Sequence, residues 1–192
     1  MLSCLDQGVE PSVGRDSDFA RNGWTQIRAL ATSGWCASFL DWMCRQIATG
    51  QITSGDKGVP NCFAFPQPAF QLQLLAMFRP EIEKRVGRGL RPSYAYARLY
   101  LAGAELHPHR DRKECELTAT VSLSPFADQI WPICVEGKDG SEHKFLLSQG
   151  DALVLDGRQL LHWRPPLASA WHPQLFLHFL WEQATRPVTP ND

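Results

Sequence analysis

The spacing of apolar residues divides the chain into a helical first half and a strand-rich second half. Residues up to about Asp16 are polar and predict a loose N-terminus. From Asp18 to about Thr32 the apolar positions Phe19, Trp24, Ile27, Leu30 and Ala31 predict an amphipathic helix, with Gly23 the one discordant residue. A second helix is predicted from Ser33, a capping residue, with Trp35, Phe39, Trp42, Met43 and Ile47 on one stripe and Gly50 at its stop. Residues 50–68 are rich in Gly, Pro, Ser and Asn and read as a long loop, the kind of segment that often lies over a site. Helix resumes over Ala69–Phe78 and again from Pro80, a good first helical residue, to about Arg88, where Gly87 and Gly89 end it.

From Tyr94 the period becomes alternating. The predicted strands are Tyr94–Ala102, Leu117–Leu123, Trp131–Glu136, Lys144–Leu147, Ala152–Leu155, Gln159–Trp163 and Gln174–Trp181, separated by turn signals such as Gln149-Gly150-Asp151 and Asp156-Gly157. Short strands at this spacing imply a sandwich or barrel. A jelly roll, or double-stranded β-helix, is the form that leaves an open mouth between two sheets.

The length of 192 residues suits one domain with a sizeable core, and the formal net charge of −1 advertises neither nucleic acid nor an anionic membrane. The six cysteines, at 4, 36, 44, 62, 115 and 134, form no Cys-x-x-Cys pair or close framework, which reads as reduced thiols in a cytoplasmic protein. The N-terminus lacks the basic and apolar regions of a signal peptide, and no run approaches the roughly 18 apolar residues of a membrane span.

The candidate chemistry lies in Leu106-His107-Pro108-His109-Arg110-Asp111-Arg112 and in His162. His109 and Asp111 stand two apart, so on an extended strand both side chains leave one face. Two imidazoles and one carboxylate on one side of a metal leave the opposite positions open, the arrangement of non-haem iron(II) oxygenases. His109, Asp111 and His162 are therefore the expected triad. Among the competitors, His107 shares the parity of His109, His143 falls in a charged turn, and His178 reads as a satisfied strand histidine.

The run from Tyr100 to Asp111, followed by Gly150-Asp151-Ala152-Leu153-Val154-Leu155 and by His162 with Pro166-Leu167, resembles the 2-oxoglutarate/Fe(II) dioxygenase superfamily in its prolyl-4-hydroxylase-like branch. The resemblance covers roughly residues 90 to 182. It implies an α+β, mainly β fold: a double-stranded β-helix with N-terminal helices packed on one sheet. The single domain is expected to comprise helical support and loop over 1–90, the catalytic core over 91–182 and a flexible tail over 183–192. Also implied are Fe(II), 2-oxoglutarate as co-substrate, O2, and ascorbate as a supporting reductant, with decarboxylation to succinate coupled to hydroxylation of a second substrate. Because Asp111 is retained, hydroxylation is favoured over the halogenation of relatives that lack this carboxylate.

The far carboxylate of 2-oxoglutarate needs a cationic or hydroxyl partner. In the family this is commonly an Arg or Lys about ten residues past the distal histidine, where this chain has His172. Three anchors stay open: His172 in protonated form, Arg164 on the same face as His162, or Arg98 on the strand face that also carries Tyr96 and Tyr100. Arg98 with Tyr100 ranks first, since related dioxygenases place a tyrosine nine residues before the first histidine. Arg112 or Glu116 could meet a charged substrate group at the mouth, Thr118 and Thr120 share a face that could line the cavity, and Trp131, Trp163 and Trp171 read as core or rim packing. The expected reaction is hydroxylation of an amino acid, a peptide side chain or a small metabolite. Nucleobase demethylation and a non-catalytic jelly-roll module holding a metal or ligand are the alternatives; the near-neutral charge counts against nucleic acid.

Overall fold

The structure is a computed structural model that describes residues 18–52, 54–55, 58–66, 68–126 and 131–183. The expected loose N-terminus to Asp16 and nearly all of the expected C-terminal tail lie outside the described residues. In chain order the elements are α1 (Asp18–Asn22), β1 (Trp24–Ile27), α2 (Ser33–Ala48), β2 (Cys62–Phe65), α3 (Pro68–Val86), β3 (Leu90–Leu101), β4 (Leu106–His109), β5 (Leu117–Ser122), β6 (Ile133–Glu136), β7 (Glu142–Phe145), β8 (Ala152–Leu155), β9 (His162–Arg164) and β10 (Trp171–Trp181). They form a six-stranded sheet in the order β1-β8-β5-β10-β3-β2 and a four-stranded sheet in the order β4-β9-β6-β7. This is the predicted double-stranded β-helix with helices packed on one sheet.

Side-chain alternation gives the large sheet two unlike faces. Ala95, Ala97 and Leu99 of β3, Leu117, Ala119 and Val121 of β5, and Leu175, Leu177 and Phe179 of β10 point one way. They form one core with Met43 of α2 and Leu75, Phe78 and Ile82 of α3. Burying each such Leu or Phe contributes roughly 1.5–3 kcal/mol, so this face fixes the register of β3, β5 and β10. The opposite face carries Tyr96, Arg98, Thr118, Thr120 and His178 and looks toward the small sheet. Two apolar clusters close the space between the sheets: Leu153, Leu155, Ile133, Val135 and Leu160 form one, and Val59, Tyr100, Trp131, Leu167 and Phe176 the other. A cavity is left between them.

Several expectations need correction. The helix expected over Asp18–Thr32 is one turn of helix followed by β1. Gly23 takes φ +84°, ending α1, and Thr25 and Ile27 alternate with Trp24 and Gln26 in a strand paired with β8. The cap of α2 is Thr32 rather than Ser33; its hydroxyl accepts from the Trp35 amide at 3.2 Å. The supposed loop over 50–68 contains β2, an edge strand on β3. The two helices expected on either side of Arg79 are one helix, α3, which runs through Pro80. β4 is not among the predicted strands, although His109 and Asp111 were expected on extended backbone, and β3 begins at Leu90 rather than Tyr94, accommodating Pro92 beside a register shift opposite His178 and Phe179. Among the described residues no helix is long and apolar enough to cross a membrane.

Candidate metal centre

The site is built where the small sheet meets the turn after β8. β4 pairs with β9 so that His109 lies directly opposite His162, which brings the two rings to a centroid separation of 4.3 Å. Asp111 sits two residues beyond the first histidine, just past the end of β4. Its amide donates to the Gly157 carbonyl at 2.7 Å, and the Arg110 Nε donates to the Gln159 carbonyl at 3.0 Å. The segment carrying the carboxylate is thus pinned to the Asp156–Leu160 turn that leads into His162.

One ligand atom each of His109, Asp111 and His162 lies within 4.8 Å of the others. The Nε2 atoms of His109 and His162 stand 3.6 and 3.7 Å from Oδ1 of Asp111. Two donors about 2.1 Å from one ion cannot be more than about 4.2 Å apart, so both pairs fit a shared ion. The atoms that would not touch the ion are already occupied. His109 Nδ1 donates to the His107 carbonyl at 2.8 Å and His162 Nδ1 to the Leu160 carbonyl at 3.0 Å, which leaves both Nε2 lone pairs facing the site. Asp111 Oδ2 accepts from the Thr118 hydroxyl at 2.6 Å, which leaves Oδ1 for the ion. The donor set therefore fits the iron(II) of a two-histidine, one-carboxylate centre.

The electrostatics agree with this arrangement. Burial raises the Asp111 carboxyl, but the neighbouring His109 and His162 imidazoles and the Thr118 hydroxyl outweigh it and bring it down to about 2. His162, nearly fully buried, is held below the usual histidine value by desolvation, with Asp111 opposing. For His109, burial acts downward, yet Asp111 and the His107 carbonyl carry it above the usual value.

The triad opens into a cavity of about 280 Å³. Tyr94, Tyr96 and Arg98 of β3, Thr118 and Thr120 of β5, and Phe176 and His178 of β10 form its floor, while Gly58 and Val59 reach it from the segment before β2. The expectation that this segment lies over a site agrees with their position. Arg164, two residues past His162 on the same face of β9, is buried in the cavity wall. One of its terminal nitrogens donates to the Trp131 carbonyl at 2.7 Å and the guanidinium lies 4.8 Å from the Trp131 ring centroid. The other terminal nitrogen, Nη2, has no hydrogen-bond partner among the described residues.

The other expected residues fall as follows. Arg98 also lines the cavity and donates to the Tyr100 hydroxyl at 3.3 Å, but Tyr100 itself is wholly buried behind the wall. His172 does not line the cavity: it is buried behind the wall, its Nε2 lies 3.1 Å from Gln174 Oε1, and burial and the nearby Arg164 charge push it down to about 3. Glu116 is drawn away from the mouth by Arg158 and by the Trp181 amide, whereas Arg112 stays at the cavity and donates to the Tyr94 hydroxyl. His107 is mostly exposed and pairs with Glu105. His143 bonds Ser141 in the turn between β6 and β7. Asp111, Cys115 and His178 form a second group of close ligand atoms, but His178 Nδ1 is engaged with Thr118 and Cys115 with Tyr94.

No protein-family model matches the sequence, and no curated protein matches it. Solved structures do. A prolyl-4-hydroxylase from Pseudomonas putida superposes with a TM-score of 0.70 at 19% identity, covering 86% of this chain and 96% of its own. The chain has the fold of the 2-oxoglutarate/Fe(II) oxygenases. Within that oxygenase fold, HygX from Streptomyces hygroscopicus, solved with nickel, 2-oxoglutarate and hygromycin B, gives a TM-score of 0.66 at 16% identity over 84% of each chain. The 2-oxoglutarate-dependent epimerase SnoN of nogalamycin biosynthesis gives 0.69 at 16% identity, covering 91% of this chain and 88% of its own.

Proposed function

We propose that this chain is a member of the 2-oxoglutarate/Fe(II) oxygenase superfamily and hydroxylates an unactivated C–H bond of an amino acid, a peptide side chain or a small metabolite. The observation that carries this reading is the convergence of His109 Nε2, Asp111 Oδ1 and His162 Nε2, each with its remaining polar atom already hydrogen-bonded, at the wall of a cavity that also holds a buried arginine. When bound, iron(II) and 2-oxoglutarate supply the oxidising chemistry, in which 2-oxoglutarate is decarboxylated to succinate and dioxygen is consumed.

The chain's own residues hold and orient. His109, Asp111 and His162 would hold the metal at the wall of the cavity. Arg164 is the proposed anchor for the far carboxylate of 2-oxoglutarate, ahead of Arg98 with Tyr100, because its Nη2 is buried without a partner among the described residues. A carboxylate there turns a costly unsatisfied donor into a charge-assisted pair. Burial brings the Arg164 guanidinium down to about 10, so it stays protonated near neutrality.

A cavity of about 280 Å³ must take both the co-substrate and the reacting part of the substrate. That volume lies at or below the roughly 300–1,000 Å³ of pockets for drug-sized ligands, which favours a small molecule or a single side chain over an extended partner. The test is succinate formation from 2-oxoglutarate under air with Fe(II) and ascorbate, first alone and then with panels of amino acids, peptides, small metabolites and methylated oligonucleotides. Stimulation by one of the first three supports the proposal. Stimulation by the oligonucleotides alone supports nucleobase demethylation, and a folded protein that releases no succinate supports a non-catalytic binding module.

A further inference from the structure

Beneath the triad, the hydrogen bond from Thr118 to Asp111 continues one residue deeper, to a histidine that the chemistry above does not use. His178, central in β10 and 3% exposed, places Nδ1 3.0 Å from the Thr118 hydroxyl, and that hydroxyl lies 2.6 Å from Asp111 Oδ2. A threonine hydroxyl has one hydrogen to give, and the ionised Asp111 can only accept, so the hydrogen goes to Oδ2. The threonine oxygen then accepts from His178, which fixes the His178 tautomer with its hydrogen on Nδ1. Its Nε2 is buried and has no partner among the described residues, in keeping with a bare lone pair there, since an N–H without an acceptor is seldom buried. The result is a directed chain, His178 Nδ1–H to Thr118 Oγ1–H to Asp111 Oδ2, in which each bond strengthens the next.

Resting on the reading of the triad as a metal centre, we propose that His178 is a positioning residue. Through Thr118 it holds Oδ2 of Asp111 away from the ion, so that the carboxylate binds through Oδ1 alone and leaves the cavity side of the metal open. In the opposite tautomer, His178 Nδ1 would compete with Asp111 for the single threonine hydrogen. With the histidine removed, the hydroxyl is free to rotate away from the carboxylate. The registers Thr118 to His178 across β5 and β10, and the seven residues from Asp111 to Thr118, set this alignment.

Co(II) uptake, followed by calorimetry and by the visible spectrum of the bound ion, tests the idea without turnover. Thr118→Val and His178→Phe should each weaken Co(II) binding by roughly 10- to 100-fold and alter the Co(II) spectrum as the carboxylate turns. The double variant should bind no more weakly than Thr118→Val alone, because the histidine acts only through the hydroxyl. His178→Asn, whose amide can donate from nearly the Nδ1 position, should restore most of the affinity and the wild-type spectrum. Circular dichroism checks each fold, and if His178→Phe does not fold, Thr118→Val and His178→Asn decide. Unchanged Co(II) affinity and spectrum in Thr118→Val, or multiplying losses in the double variant, overturn the proposal while leaving the metal centre intact. If the wild type itself takes up no Co(II), the metal-centre reading fails and this one falls with it.

Discussion

Gly157 lies so close to Asp111 that a β-carbon on it would come within 2.2 Å of Oδ2 and 2.9 Å of the carboxyl carbon. The same glycine accepts the Asp111 amide through its carbonyl, so backbone and side chain of the aspartate are both set against one residue. Gly157→Ala should therefore push the carboxylate off its position. The expected outcome is a folded protein whose Fe(II) or Co(II) affinity is at least about tenfold weaker, as for other losses of support to a ligand. Calorimetric metal titration beside a thermal melt checks it.

Arg164 is the residue on which co-substrate binding should depend most. With Arg164 as the proposed anchor, Arg164→Gln would remove one charge-assisted partner of the 2-oxoglutarate carboxylate, worth about 1.5–3 kcal/mol, so the 2-oxoglutarate concentration for half-maximal binding should rise by roughly 10- to 100-fold. Arg98→Ala should cost less. Anaerobic titration of the metal-loaded protein with 2-oxoglutarate ranks the two.

The convergence of His109, Asp111 and His162 was legible because the first two are only two residues apart, and because His162 follows a Gly-Asp turn and a strand in the order of the family the sequence resembles. The alternation of β3 likewise placed Ala95, Ala97 and Leu99 opposite Tyr96 and Arg98, as the structure does. What could not be read is what crosses between elements. The Thr118 to Asp111 bond spans the space between the sheets, and although Thr118 was expected on a cavity face, nothing local names its acceptor. His178 reads as an ordinary strand histidine until β10 is laid beside β5. Arg164 ranked behind Arg98 because burial and an unpartnered nitrogen are properties of packing, not of spacing. The N-terminal error has a simpler cause: a mixed apolar pattern interrupted by Gly23 fits a helix and a short strand about equally well, and pairing with β8 decided for the strand.

Acid should weaken the fold through His172. In the folded chain its imidazole is pushed down to about 3 by burial and by Arg164, while in the unfolded chain it takes the usual histidine value near 6.5. Between those values the unfolded state binds more protons, so stability rises with pH. The contribution is complete above about pH 6.5, is lost as pH falls toward about 3, and is on the order of a few kcal/mol. His178, pushed down to about 4 chiefly by burial, adds in the same sense. Urea unfolding across this range should show a shallower pH slope for His172→Phe than for the wild type.

Gly150 holds the turn into β8 and tolerates nothing larger. It takes φ +82°, and a β-carbon would lie 2.1 Å from the Ala31 carbonyl oxygen, whose own amide donates to the Gly150 carbonyl at 3.1 Å. Gly150→Ala should cost on the order of 2–4 kcal/mol and lower the melting temperature by roughly 5–15 °C. A calorimetric scan checks it.

The central claim is that two imidazoles and one carboxylate hold iron(II) with positions free for a 2-oxo acid. Anaerobic addition of Fe(II) and 2-oxoglutarate to the wild-type protein tests it most directly, through the visible metal-to-ligand charge-transfer band of the chelate. The account predicts a saturable band at one iron per chain that is absent from His109→Ala and Asp111→Ala. A wild type that develops no band, or variants that keep it, would contradict the account.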